Sequence, residues 1–404
     1  MKKLTCLLLI LFFSSFCGPN QDKVNRIIED GVEIVLNQIE PFNIHGEATS
    51  LYLEEEFTIN LDRKDLEEKG LRDIWHFDID SENNIYLTSS APNTKLIFKF
   101  DQNGQFIKTF GKKDQETGEF FPPKHIRLSQ NDEIFTVNGL GNIMLFDTEG
   151  EYIKEIPRSL FKEIPTGIPN EKPRSSDLLD VYPLRNGNYL IFKSLNYYTT
   201  VDHYCPLILC DSERRELIEL GALEVPGLQL ALFEKIKGFF PRFSWDVSRE
   251  RIFVGNDQQG YEIHVYDLEG NLVRKIRKKY KPVQVTNTYK EKSLALFAGA
   301  SWIDKVYFPE NFPPYQYLFA DEEGHLFVMT YETNQNGNGY IYDIFNSDGV
   351  FIGNTSLENY GMPTYANEGG DGPLEVKVKK DRLYCTRMNK NGLNELVVYK
   401  MRWE

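Results

Sequence analysis

Apolar and polar residues alternate with period two along most of this chain. The alternating runs come in pairs joined by short polar turns. "FKFDQNGQFIKTF" (98–110) reads as strand, turn, strand, with Asp101 and Gly104 at the bend. The same pattern returns in "MLFDTEGEYIKEI" (144–156), "HVYDLEGNLVRKI" (264–276) and "DIFNSDGVFIGN" (343–354); "LILCDSERRELIEL" (207–220) keeps Asp211 and lacks the glycine. In such a D-x-x-G turn the carboxylate accepts from local amides, and glycine takes a left-handed backbone conformation at no steric cost.

A second hairpin precedes each of these. Its copies are "FDIDSENNIYLTS" (77–89), "IRLSQNDEIFTV" (126–137), "YPLRNGNYLIF" (182–192), "WDVSRERIFVG" (245–255), "FADEEGHLFVM" (319–329) and "VKVKKDRLYCT" (376–386). Aligning Ile85, Ile134, Tyr189, Ile252, Leu326 and Leu383 gives steps of 49, 55, 63, 74 and 57 residues. Each step holds two hairpins, hence four antiparallel strands. The expected fold is all-β: a six-bladed β-propeller of four-stranded antiparallel blades over 45–404. The last unit offers three strands before the chain ends, and "TSLYLEEEFTINL" (49–61) is a strand with no nearby hairpin partner. The N-terminal strand is therefore expected to close the last blade and remove two open sheet edges.

The punctuation between blades carries a resemblance. "FDQNGQFIKTFGKKDQETGEFFPPKHI", with its glycine-spaced loop before a Phe and a Pro, looks like the NHL repeat. Together with "VYFPENFPPYQYLFADEEGHLFVMTYE" (306–332), it resembles the bacterial six-bladed β-propeller lipoproteins, NHL-like or TolB-like. The resemblance implies the ring fold over roughly 45–404 and an envelope location. It does not extend to NHL partner rules, because the NHL pattern is confined to the first two blades.

The start of the chain points the same way. "MKKLTCLLLILFFSSFC" has Lys2 and Lys3, an apolar run from Leu7 to Phe13, and small residues before Cys17. That is a secretory signal (1–16), too short for a spanning helix. Cys17 stands where lipidation is expected, although Phe16 is larger than the usual preceding residue; an ordinary signal peptide with an incidental cysteine is the alternative. Residues 17–44 are then the lipidated Cys and tether. The expectation is an exported, membrane-anchored lipoprotein of the cell envelope, either periplasmic or surface-exposed.

Composition narrows the partners. Net charge is −14, with 60 acidic residues against 46 Lys and Arg, and no basic stripe interleaved with aromatics, so nucleic acid is not an expected partner. Cys205, Cys210 and Cys385 show no C-x-x-C spacing and read as buried thiols.

Loop lengths separate the two faces of the ring. The turns within hairpins are short, whereas 157–177, 195–206, 222–242, 278–314 and 331–342 are long and varied and belong to the opposite face. Long loops on a rigid scaffold are where binding concentrates. A helical insertion is expected at about 286–302, with Thr288 and Glu291 as a capping box, either as a lid or walling a pocket with Tyr197 and Tyr198.

No catalytic motif is present. Counting nine residues back from each alignment point gives His76, His125, Asp180, Phe243, Tyr317 and Leu374. His76, His125 and Asp180 are the right chemistry for a divalent metal such as zinc, although no third histidine aligns; hydrogen-bonded strand-end residues are the alternative. By resemblance, the amidating lyases among NHL-like propellers hold zinc with channel histidines. Trp75, Lys124 and Arg242 flank the same rim and suit an anion or a sugar, joined by Tyr198, Trp302 and Tyr317. Two functions lead, with a purely structural subunit of an envelope complex as a third. One is a non-enzymatic binding module recognising a protein, peptide or glycan through the loop-rich face, with no cofactor. The other is a metal-dependent lyase or hydrolase in the channel.

Overall fold

The computed structural model describes residues 24–43, 50–89, 96–111, 125–138, 141–161, 173–197, 201–226, 235–239, 242–296, 298–300, 303–337, 339–358, 376–389, 391–392 and 394–404. They form a six-bladed β-propeller. Blade 1 is His76–Ile79, Ile85–Thr88, Ile97–Phe100 and Phe106–Phe110; blade 2 is Ile126–Leu128, Ile134–Val137, Ile143–Phe146 and Tyr152–Ile156. Blade 3 is Ser175–Pro183, Tyr189–Asn196, Val201–Cys210 and Glu216–Pro226, and blade 4 is Phe243–Val247, Ile252–Asn256, Glu262–Tyr266 and Leu272–Lys278. Blade 5 is Tyr317–Ala320, Leu326–Thr333, Gly339–Phe345 and Phe351–Glu358. Blade 6 takes Val376–Lys379, Arg382–Met388 and Asn394–Trp403, and its outer strand is Leu51–Ile59. That strand runs antiparallel to the C-terminal one, from Leu396 opposite Ile59 to Trp403 opposite Leu51. The ring is closed by its own N-terminal strand, as the unpaired run at 49–61 requires.

The turns work as their residue types dictate. Asp101 Oδ1 accepts from the amides of Asn103 and Gln105, Asp147 Oδ1 from Glu151, and Asp267 Oδ1 from Glu269 and Asn271. In the copy without glycine, Asp211 makes the same bonds to Glu213 and Arg215, and Arg214 is forced to φ +66°. The glycines also make room. A Cβ on Gly150 would collide with Phe110 of blade 1, and one on Gly270 would lie 2.8 Å from Leu209 of blade 3. One on Gly349 would lie 2.9 Å from Ile276 of blade 4. Each outer turn is thus pressed against the preceding blade.

The core lies between blades. Every blade junction has its own apolar cluster: Phe77, Phe98 and Leu396 between blades 6 and 1, for example, and Ile97, Phe110, Ile134 and Phe146 between blades 1 and 2. The junction of blades 5 and 6 stacks Phe319 on Phe327 at 4.7 Å between ring centroids.

Two features differ from the sequence reading. Within the stretch expected as tether, Asn25–Glu29 and Val32–Asn37 form a hairpin about Asp30 and Gly31, both with positive φ. Its second strand adds in parallel to Leu272–Lys278, extending blade 4 to six strands. Buried Asn37 then reaches blade 5, donating to Gly349 O at 3.0 Å and accepting from Phe351 N–H at 2.8 Å. Second, much of two expected loops is strand. Val201–Cys210 and Glu216–Pro226 pair as far as Val201 opposite Pro226, and Leu326–Thr333 meets Gly339–Phe345 with Thr333 opposite Tyr340. The loop-rich face therefore carries projecting hairpins; their polar side chains disguised strands whose partners lie across a turn.

The expected insertion helix is Asn287–Leu296. Its cap is Thr286, not Thr288: Thr286 Oγ1 accepts from Tyr289 N–H at 3.2 Å. Buried Tyr289 packs edge-on to Phe312 at 4.7 Å, and Phe312 stacks on Tyr331 of blade 5 at 4.3 Å. A short parallel pairing of Ile236–Lys237 with Val306–Tyr307 ties the two long segments flanking blade 4 together. The helix is packed onto the ring.

Candidate functional site

The inner strands bring a charged residue into the channel where an apolar one would otherwise sit. Asp78 stands opposite Tyr86, Arg127 opposite Phe135, Asp246 opposite Phe253 and Lys377 opposite Tyr384. Tyr182 occupies the corresponding place in blade 3, opposite Leu190.

Most of these groups are committed to neighbours. Asp78 accepts from Ile79 N–H and, across the blade gap, from Leu128 N–H at 2.8 Å. Asp246 repeats the pattern with Val247 and with Ala320 of the next blade, both at 2.8 Å. Lys377 Nζ lies 3.8 Å from Asp78. The Arg127 guanidinium donates twice to Asp180 Oδ2, at 2.7 and 3.1 Å, and lies 5.9 Å from the ring centroids of Tyr182 and of Trp245. Burial opposes ionisation of Asp180, but Arg127, His125 and Lys377 outweigh it and hold its carboxyl below the ordinary range. At Asp246 burial wins over the nearby cations and backbone donors, and its carboxyl is pushed up.

His76 and His125 lie nearer the loop-rich end and meet edge to face, with ring centroids 4.7 Å apart. His76 Nδ1 accepts from Ile126 N–H at 3.4 Å. Burial, then Arg127, His125 and Lys377, depress the His76 pKa well below the usual imidazole value, so the ring is neutral. Counting along the inner strands thus does bring the two histidines together. Asp180 accepts from Arg127 and, at 2.8 Å, from Val181 N–H, and His125 is among the charges acting on its carboxyl. Among the described residues, no group of three or more His, Cys, Asp or Glu is arranged to hold a metal ion.

The rim candidates divide. Trp75 is 40% exposed at the loop-rich mouth of the channel. Tyr317 is half-buried and packs into the junction of blades 5 and 6, 6.4 Å from Phe319. Arg242 is half-buried, and its carbonyl accepts from Asp257 N–H at 3.0 Å. Burial raises the Asp257 carboxyl to about 6. Lys124, Tyr198 and Trp302 lie outside the described residues.

At the opposite, short-turn mouth is a cavity of about 130 Å³ lined by Asp78, Tyr182, Asp246 and Lys377. The sequence reading missed this set. Its signal was present: a charge in the middle of an otherwise apolar inner strand, as in "FDID", "IRL", "WDV" and "VKV".

Comparison with known proteins agrees with this architecture. The family model DUF5128, described as a 6-bladed beta-propeller, matches residues 74–217, the first two blades and most of the third. No curated protein matches the chain. Among solved structures, a member of the DUF4221 family from Bacteroides vulgatus superposes with a TM-score of 0.50 at 14% identity, covering 89% of this chain and 100% of its own. BamB from Moraxella catarrhalis is a looser likeness, with a TM-score of 0.33 at 11% identity over 81% of this chain and 86% of its own. The chain is similar in fold to the DUF5128 model and to the DUF4221 structure: it is a β-propeller of six four-stranded blades closed by its N-terminal strand.

Proposed function

We propose that this protein is an exported, lipid-anchored propeller that binds a protein, peptide or glycan through its loop-rich face, without catalysis. The observation that carries the reading is how the channel spends its charges. Asp78, Asp180 and Asp246 are occupied by backbone amides and by Arg127, which suits stitching blades together rather than moving protons. The decoration lies elsewhere: projecting hairpins on blades 3 and 5, the packed helix, and exposed Trp75 and Tyr307. Exposed aromatics on a rigid platform are effective anchors for a partner.

A photo-crosslinking residue placed at Trp75 in intact cells should give a discrete adduct, and one at Gln102 in a short turn should give none. Adducts from Gln102 alone would assign binding to the other face.

The adjacency of His76 and His125 favours a second reading, a metal-dependent lyase or hydrolase. Calorimetric titration with Zn²⁺ tests it: binding lost in both His76→Ala and His125→Ala would support that reading against the first.

A further inference from the structure

The first described strand begins at the loop-rich end of blade 4. Asn25 pairs with Leu36, and Leu36 with Arg277, so the chain enters two strands from Arg277, about 10 Å away. Just beyond, Lys279 N–H donates to Asn37 O at 3.1 Å, which brings residues 37–40 and 279–281 side by side. Ile39 and Tyr280 are 39% and 37% exposed here, and Lys279 and Lys281 are exposed beside them.

The cations of this segment fall into two groups. Arg274, Lys275, Arg277 and Lys278 are neutralised by Glu33, Glu262, Glu29 and Asp343. Lys279 and Lys281, where the strand ends, make no ion pair among the described residues; Glu40 is an exposed acid in the same segment, and exposed Glu332 acts on Tyr261, which packs on Tyr280.

We propose that this corner of blade 4, formed by Ile39, Lys279, Tyr280 and Lys281, lies against an anionic lipid membrane. The proposal rests on Cys17 being lipidated. Cys17 is seven residues before Val24, a span of at most about 25 Å however the chain runs. An acyl-anchored protein therefore keeps this corner close to the bilayer, whichever way the ring turns. Tyrosine suits the headgroup layer, with its ring in the apolar part and its hydroxyl in water. Unpaired lysines attract anionic headgroups within about 8 Å, the reach left by physiological salt. In a chain of net charge −14, repelled as a whole by such a surface, a local cationic and aromatic spot beside the anchor decides which side turns to the lipid. Acyl chain and basic spot act together, as stable peripheral anchoring needs.

The test uses the full lipidated chain in vesicles of phosphatidylglycerol and phosphatidylcholine carrying a lipid-borne quencher. Tyr280→Cys and Glu269→Cys are labelled separately with a fluorophore; Cys205, Cys210 and Cys385 are buried and spared. Quenching at position 280 should exceed that at 269 by about twofold or more, and Lys279→Glu with Lys281→Glu should shrink the difference. Equal quenching at both positions in fully membrane-bound protein overturns the proposal. If wild type and Cys17→Ser are equally absent from the membrane fraction, the lipidation reading itself fails and this proposal falls with it.

Discussion

Gly150 shows how much one residue decides in a repeat fold. Its φ of +75° disfavours any side chain, and the base of the Phe110 side chain fills the space a Cβ would need. Gly392 has a similar φ, +78°, but open space. Gly392→Ala should therefore cost only the conformational strain, about 1–2 kcal/mol. Gly150→Ala should cost that plus overpacking, a further ~1–3 kcal/mol. Urea denaturation of the two variants separates the contributions; equal losses would show that Phe110 yields freely. His76 makes a pH prediction. Its folded pKa lies well below the unfolded value of about 6.5. As pH falls below 6.5 the unfolded chain takes up a proton that the folded chain refuses, so stability drops with acidity. The raised carboxyls of Asp246 and Asp257 act oppositely, since the folded state holds their protons more tightly. His76→Gln should lessen the loss of stability between pH 7.5 and 5.5, measured by chemical denaturation at each pH; an unchanged slope would mean the ring titrates normally.

Among elements, the insertion helix has little support of its own. Its ten residues are near the lower limit for a helix in water, so it depends on Tyr289, Phe312 and Phe308 for its place on blade 5. Tyr289→Ala should free the segment while leaving the ring intact. Limited proteolysis should then cut within 286–300 faster than in wild type, with an unchanged main melting transition. A fall in that transition would instead make the insertion part of the cooperative core.

At the scale of the molecule, stability depends on closing the ring. The strand Leu51–Ile59 supplies the outer edge of blade 6, and Gly104 of blade 1 packs on its Phe57. Deleting residues 50–59 exposes the edge of Asn394–Trp403 and opens the junction of blades 6 and 1. The expected outcome is aggregation or loss of a single cooperative transition, read by light scattering and calorimetry. Deleting 24–37 removes the hairpin added to blade 4, with the bonds of Asn37 to blade 5 and buried Val35, and should leave a monomeric, cooperative ring of lower stability. Equivalent behaviour of the two truncations would show that the N-terminal hairpin is as necessary to closure as the strand.

Local chemistry determined the blades. Period-two alternation, the Asp and Gly of each turn and the count of units are written within a few residues of one another, and together they specify four-stranded hairpin pairs repeated six times. Closure was legible too, because a strand without a partner at one end of the chain matched a blade missing a strand at the other. The same signal stood unread in "IIEDGVEIV", where Asp30 and Gly31 between alternating residues make a hairpin; the parallel partner that holds it is Leu272–Lys278, some 240 positions away in the chain. The channel divided likewise. Counting along inner strands brought His76 to His125, since blade geometry repeats. It could not foresee that a bulge between Leu178 and Asp180 would turn Asp180 toward Arg127, or that Asp78 and Asp246 would bond to amides of the following blades. Those partners come from neighbouring blades, and only the closed ring sets their distances.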